Sequence, residues 1–300
     1  MLYKAFYSYI YHFKVAIKTK GLYTSEYSII GMYINDELYR EIIKKHEILK
    51  QRDQAEKDLY SLFADRNHKD SLQHSIRLSK PTATLLKDLP SKDRKKAMDE
   101  YNRTLNNLQK AWDYGLNNYH FPFDEEFLFQ IAYLVEPENY KGEKAHYRTM
   151  TMGVRPTGAK VTPPYPAKIP LEMEKLFING HHLDNHVKKQ EHKEDNTIDI
   201  SSYLHLELTR IHPFEDGNGR VARLMGNLVL IKNEYPPLII PEGERVTYNQ
   251  ILRNYDVGFN DRGKKLVYDR NHLSEEEKMA YDYFAGKINS SLDRLLEGKH

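Results

Sequence analysis

The run Ile211 to Arg223, IHPFEDGNGRVAR, constrains this 300-residue chain more than any other stretch. Two glycines bracket an asparagine, Gly217-Asn218-Gly219, just before apolar positions spaced for a helix, Val221 to Lys232. A glycine-rich turn that opens a helix gathers free N–H groups at the positive end of the helix dipole, which makes an anion site. Arg220 and Arg223 fall one helical turn apart on one face, and guanidinium groups suit phosphate oxygens. Asp216 can hold a divalent cation or cap the helix, and the two roles are compatible. His212 flanks the turn with an imidazole that is neutral near pH 7. Together these groups are equipped to activate a hydroxyl beside a metal-bound polyphosphate.

Helical spacing dominates the rest of the chain. Leu38, Ile42, Ile43, Ile48, Leu49, Leu59 and Leu62 predict a long amphipathic helix over 36–65. A second is expected over 91–114, opened by Ser91 with Asp93 in its first turn. Asp124 is an N-cap candidate for another helix. Further helices are expected near 170–177 and over 198–211, 219–233, 244–254 and 274–297. Residues 146–164 break the pattern. Tyr147 to Met152 alternate and are threonine-rich, Pro156-Thr157-Gly158 reads as a turn, and Ala159 to Thr162 return to Pro163-Pro164, which predicts a β-hairpin. The fold class is therefore mainly α with one small hairpin. The expected divisions are an N-terminal helical region at 1–115, a central domain at 116–260 and a helical extension at 261–300.

Composition narrows the setting. With 40% hydrophobic residues there is material for a core, and 29% charged residues argue for a soluble protein. A net charge of +2 does not by itself make a nucleic-acid-binding surface. There is no cysteine, so disulfides and cysteine-based zinc sites are excluded. Lys4, His12 and Lys14 interrupt any signal-like apolar core, and no apolar run is long enough to span a membrane. The expected location is cytoplasmic. His181, His182, Asp184, His186 and His192 tempt a metal reading. Lys188, Lys189, Glu191, Lys193 and Glu194 follow, so a solvated charged loop is expected instead.

The central run resembles the signature of the Fic family, His-x-Phe-x-Asp-Gly-Asn-Gly-Arg-x-x-Arg, at His212, Phe214, Asp216, Gly217, Asn218, Gly219, Arg220 and Arg223. The likeness extends over roughly residues 120–255. It implies a helical bundle with a β-hairpin flap at 146–164 and a catalytic loop at 212–223. It further implies protein adenylylation, the transfer of AMP from Mg-ATP to a Ser, Thr or Tyr hydroxyl with release of pyrophosphate. On that reading His212 is the general base. Asp216 binds Mg²⁺, Gly217, Asn218 and Gly219 form the anion nest, and Arg220 and Arg223 meet the β- and γ-phosphates. The flap pairs with an extended target segment, which makes Gly158, Ala159, Lys160 and Val161 candidates for target and nucleotide contacts. Tyr248 falls where relatives place an aromatic near the adenine, with a buried core tyrosine as the alternative. Partners would be a protein hydroxyl, the chain itself and a homodimeric copy.

Two segments resemble the inhibitory helix of the family, whose glutamate pairs with the second motif arginine. Over 75–85, Ser75, Thr82 and Thr84 match, but Ser79 stands where the glutamate belongs. At the other end of the chain Glu297-Gly298 match, but Asp293 replaces the Ser or Thr. Alternatives to adenylylation are transfer of another nucleotide or phosphate-containing group, and a nucleotide-binding regulatory or toxin–antitoxin module.

Overall fold

Helical spacing carries through to the architecture. The computed structural model describes residues 33–51, 69–79, 90–151, 163–188, 196–261 and 270–297. Among these the long helices are α1 (Asp36–Lys50), α2 (69–79), α3 (Ser91–Asn117), α4 (Glu125–Val135), α5 (Ile169–Lys188), α6 (Thr197–Ile211), α7 (Asn218–Lys232), α8 (Arg245–Asp261) and α9 (Glu275–Glu297). All fall in the unit Gly31–His300. No strand occurs among the described residues, and most of the expected hairpin, 152–162, lies outside them. None of the helices is long and apolar enough to cross a membrane.

Caps set the helix starts. Asn35 accepts from the amides of Glu37 and Leu38 to open α1, and Asp124 accepts from Phe127 N at 2.7 Å to open α4, as expected. Ser274 and Glu277 form a reciprocal capping box at α9, each side chain taking the other's amide. The first predicted helix is described as far as Lys50, with 52–68 outside the described residues. One expectation is corrected: residues 181–188, read as a charged loop, continue α5. Ile169, Met173 and Leu176 bury one face of that helix, and no proline stops it.

The centre is the pair α6 and α7, joined by the loop 212–217. Both are buried almost all round, as expected of helices inside a bundle. Gly226 permits their close approach, since a Cβ there would lie 3.0 Å from the Ser201 carbonyl oxygen. Around the pair, α3 and α4 pack on each other and on α7, α5 covers α6, and α9 joins α8 to α1. The core thus runs across residues 115/116 and 260/261, where the sequence suggested divisions.

Candidate functional site

A buried polar network anchors the end of α6, just before the loop. Arg210 donates to Glu207 and to Glu172 of α5, the Tyr255 hydroxyl donates to Glu207 at 2.6 Å, and Arg210 lies 4.0 Å over the Phe259 ring. The helix then stops at His212, which adopts the left-handed conformation, φ 52° and ψ 58°, while its amide still bonds Leu208. A non-glycine residue in that region stores strain and is typical of functional positions. Phe214 is fully buried beside Phe129 and Tyr147 and plugs the loop into the core.

The asparagine between the glycines closes the loop. Asn218 Oδ1 accepts from Phe214 N at 2.8 Å and its Nδ2 donates to Phe214 O at 2.7 Å, a two-way clamp. Its side chain is therefore taken up in shaping the loop. Gly217 takes φ 80°, which L side chains rarely adopt, and a Cβ there would meet Glu136 and Val135. The first amides of α7, Asn218 and Gly219 included, lie at a helix N-terminus, where the chain has no carbonyl one turn back.

The charged groups sort into two sets. Asp216 is exposed at the mouth of the loop and accepts the Gly217 amide at 2.6 Å. An exposed carboxylate beside bare helix amides fits Mg²⁺, which keeps water and substrate phosphates among its ligands and needs few protein groups. Arg220, 1% exposed, pairs with Glu136 and lies 3.5 Å from Asp216. Its Nε is buried without a hydrogen bond among the described residues, a donor short of an acceptor. Arg223 is occupied by α2 and α8. Its Nε donates to Ser75 Oγ at 2.8 Å, Nη2 to Ser75 O at 2.9 Å and Ser79 Oγ at 2.5 Å, and Nη1 to the Tyr248 hydroxyl at 3.2 Å.

Burial pushes the His212 imidazole down to about 4, with a contribution from nearby Arg148 and against the pull of the Thr209 carbonyl and Asp216. It is therefore a neutral proton acceptor at physiological pH.

The structure brings together His212, Asp216, Gly217, Asn218, Gly219, Arg220 and Arg223. Gly158, Ala159, Lys160 and Val161 lie outside the described residues, as do Thr82 and Thr84. Tyr248 is 3% exposed, with its hydroxyl on Arg223 and against His205 at 2.9 Å, the placement of the core tyrosine that the sequence left as the alternative. Glu297 closes α9 on an exposed turn. Glu136 and Arg148 were not singled out from the sequence. No periodicity marks either, since each meets the loop from a different element.

Residues 122–230 match the model of the Fic/DOC family. The chain is 34% identical over 93 residues to the protein adenylyltransferase Fic of Drosophila persimilis, and 35% identical over 91 residues to that of Drosophila grimshawi. These matches take in 30% of this chain and 16–17% of the relatives. It therefore spans a minor part of their length. Among solved structures, a Fic domain containing signaling protein from Bacteroides thetaiotaomicron superposes with TM-score 0.57 at 20% identity, covering 88% of this chain and 99% of that one. Fic-1 from C. elegans gives 0.60 at 17%, covering 87% and 72%. These likenesses show the same helical fold.

Proposed function

We propose, from the premise that residues 122–230 form a Fic/DOC-family domain, that this chain transfers AMP from Mg-ATP to a hydroxyl of a protein. The observation that carries the reading is the loop itself. A neutral imidazole on a strained backbone stands at one end and the open N-terminus of α7 at the other. His212 takes the proton of the attacking hydroxyl as its oxygen bonds the α-phosphorus. The bond to the β-phosphate oxygen breaks and pyrophosphate leaves. The amides of α7 and the Arg220 guanidinium face the charge that develops on the leaving group. Mg²⁺, when bound, would be held by Asp216 and would neutralise phosphate charge. The acceptor would be a Ser, Thr or Tyr side chain of a partner, or of this chain or a second copy, in the cytoplasm.

The test is incubation with α-³²P-ATP and Mg²⁺, with γ-³²P-ATP in parallel. Protein-bound label is expected from the α position only, and His212→Ala should reduce it by about 10²–10⁴-fold while ATP binding persists. Equal labelling by that variant would overturn the mechanism. Stable γ-label would show a phosphotransferase, and ATP binding with no transfer a regulatory module.

A further inference from the structure

Arg148 is a buried cation whose hydrogen bonds, among the described residues, all go to neutral backbone. It is 2% exposed, and each guanidinium nitrogen donates to a carbonyl: Nε to His212 at 2.7 Å, Nη1 to Met150 at 2.9 Å, Nη2 to Pro164 at 2.5 Å. Its own amide donates to Pro213 O at 2.8 Å. Among the described residues no carboxylate pairs with it, and burial draws its proton affinity down. Taking a cation out of water against carbonyls alone is unfavourable for folding, so packing by itself gives no reason for an arginine here. What the fork accomplishes is geometric. One rigid planar group joins Met150, Pro164 and the carbonyl of the left-handed His212, three points that sequence separates.

We propose that Arg148 is a positioning residue for His212: it fixes the strained His212 peptide relative to Met150 and Pro164 and so sets where the imidazole stands. The inference rests on the reading of His212 as general base. Two features follow from the geometry. Holding the His212 carbonyl on one side and the α6 amide bond to Leu208 on the other fixes the backbone from which the ring projects. The guanidinium also adds a positive neighbour that disfavours imidazolium, opposed by Asp216 from the loop and the Thr209 carbonyl from α6. The nucleotide groups Asp216, Arg220 and Arg223 have other partners, so nucleotide binding does not depend on Arg148.

The experiment compares wild type, Arg148→Lys and Arg148→Met for label transfer from α-³²P-ATP, thermal melting, and His212 titration by NMR of ¹⁵N-histidine protein, with His212→Ala to assign the signal. Lysine keeps the charge and cannot bond three carbonyls. Arg148→Lys is expected to lose about 10- to 100-fold in kcat with the KM for ATP within about twofold, since misplacement of a reacting group by about 1 Å is enough for such a loss. Its imidazole should still titrate near the wild-type value. Arg148→Met should lose as much kcat, and its imidazole should titrate nearer the ordinary histidine range. If kcat per folded molecule and the imidazole titration match wild type in the variants that fold, with only melting lowered, Arg148 is purely structural and the proposal fails. If Arg148→Met does not fold, Arg148→Lys decides through the kcat-against-KM split. Should wild type transfer no label, the proposed reaction fails. The chemical shifts of the His212 ring in Arg148→Lys then decide the positional claim independently: unchanged shifts overturn it, and displaced ones support it.

Discussion

Replacing Ser79 by glutamate should restrain the site. Arg223 Nη2 donates to Ser79 Oγ at 2.5 Å, from a helix that Ser75 also ties to the same guanidinium through its hydroxyl and its carbonyl. A neutral hydroxyl acceptor is worth about 0.5–1.5 kcal/mol net and a charged one about 1.5–3 kcal/mol. Ser79 is exposed, so the gain from a carboxylate belongs at the lower end, about 1 kcal/mol. An ATP γ-phosphate seeking Arg223 would have to displace that carboxylate. A difference of about 1 kcal/mol corresponds to roughly fivefold in occupancy. The assay is the initial rate of α-³²P incorporation across ATP concentrations for wild type, Ser79→Glu and Ser79→Ala, with melting curves for each. Ser79→Glu should raise the ATP requirement roughly fivefold and raise the melting temperature, and Ser79→Ala should do neither. Glu297→Gly should leave both at wild type, because the bonds to Arg223 come from α2 and Tyr248. A wild-type ATP dependence in Ser79→Glu together with a faster Glu297→Gly would refute the reasoning and hand restraint to the end of α9.

Asn218→Ala removes both bonds to the Phe214 backbone and strands a buried amide and carbonyl, at about 1–3 kcal/mol each. Melting should fall by several degrees and ATP binding should weaken; an unshifted melting curve would show that the clamp is dispensable. With His212 held down to about 4 in the fold against about 6.5 when unfolded, the unfolded chain binds the extra proton between those values. Stability from this residue is thus full above about pH 6.5 and is lost as pH falls toward 4. The transfer rate should accordingly be level from about pH 5.5 to 7.5, and an acid limb centred near 6.5 would contradict the buried, neutral imidazole.

What the sequence determined by itself is local. The run from His212 to Arg223, the apolar spacing of α6 through α9 and the Asp124 cap depend on neighbours within a turn or two, where side-chain period and backbone chemistry act. The nest could be read because its glycines, its aspartate and its arginines sit within one loop and the first turns of one helix. Even there, the amide of Asn218 proved to clamp Phe214, since a side chain's target depends on how the loop folds back. The extension of α5 through 181–188 runs against a reading by charge and histidine content, because neither stops a helix and no proline does so there. Tertiary structure alone decided who meets the site groups. Ser79 reaches Arg223 across 144 residues and Arg148 reaches His212 across 64, while Glu136 comes from the end of α4 to Arg220. Such pairings follow from which helix faces pack together, and periodicity names a buried face without naming its partner. Tyr248 shows the consequence: the sequence offered an aromatic near a nucleotide, and packing of α8 against α9 and α6 buried its ring and aimed its hydroxyl at Arg223.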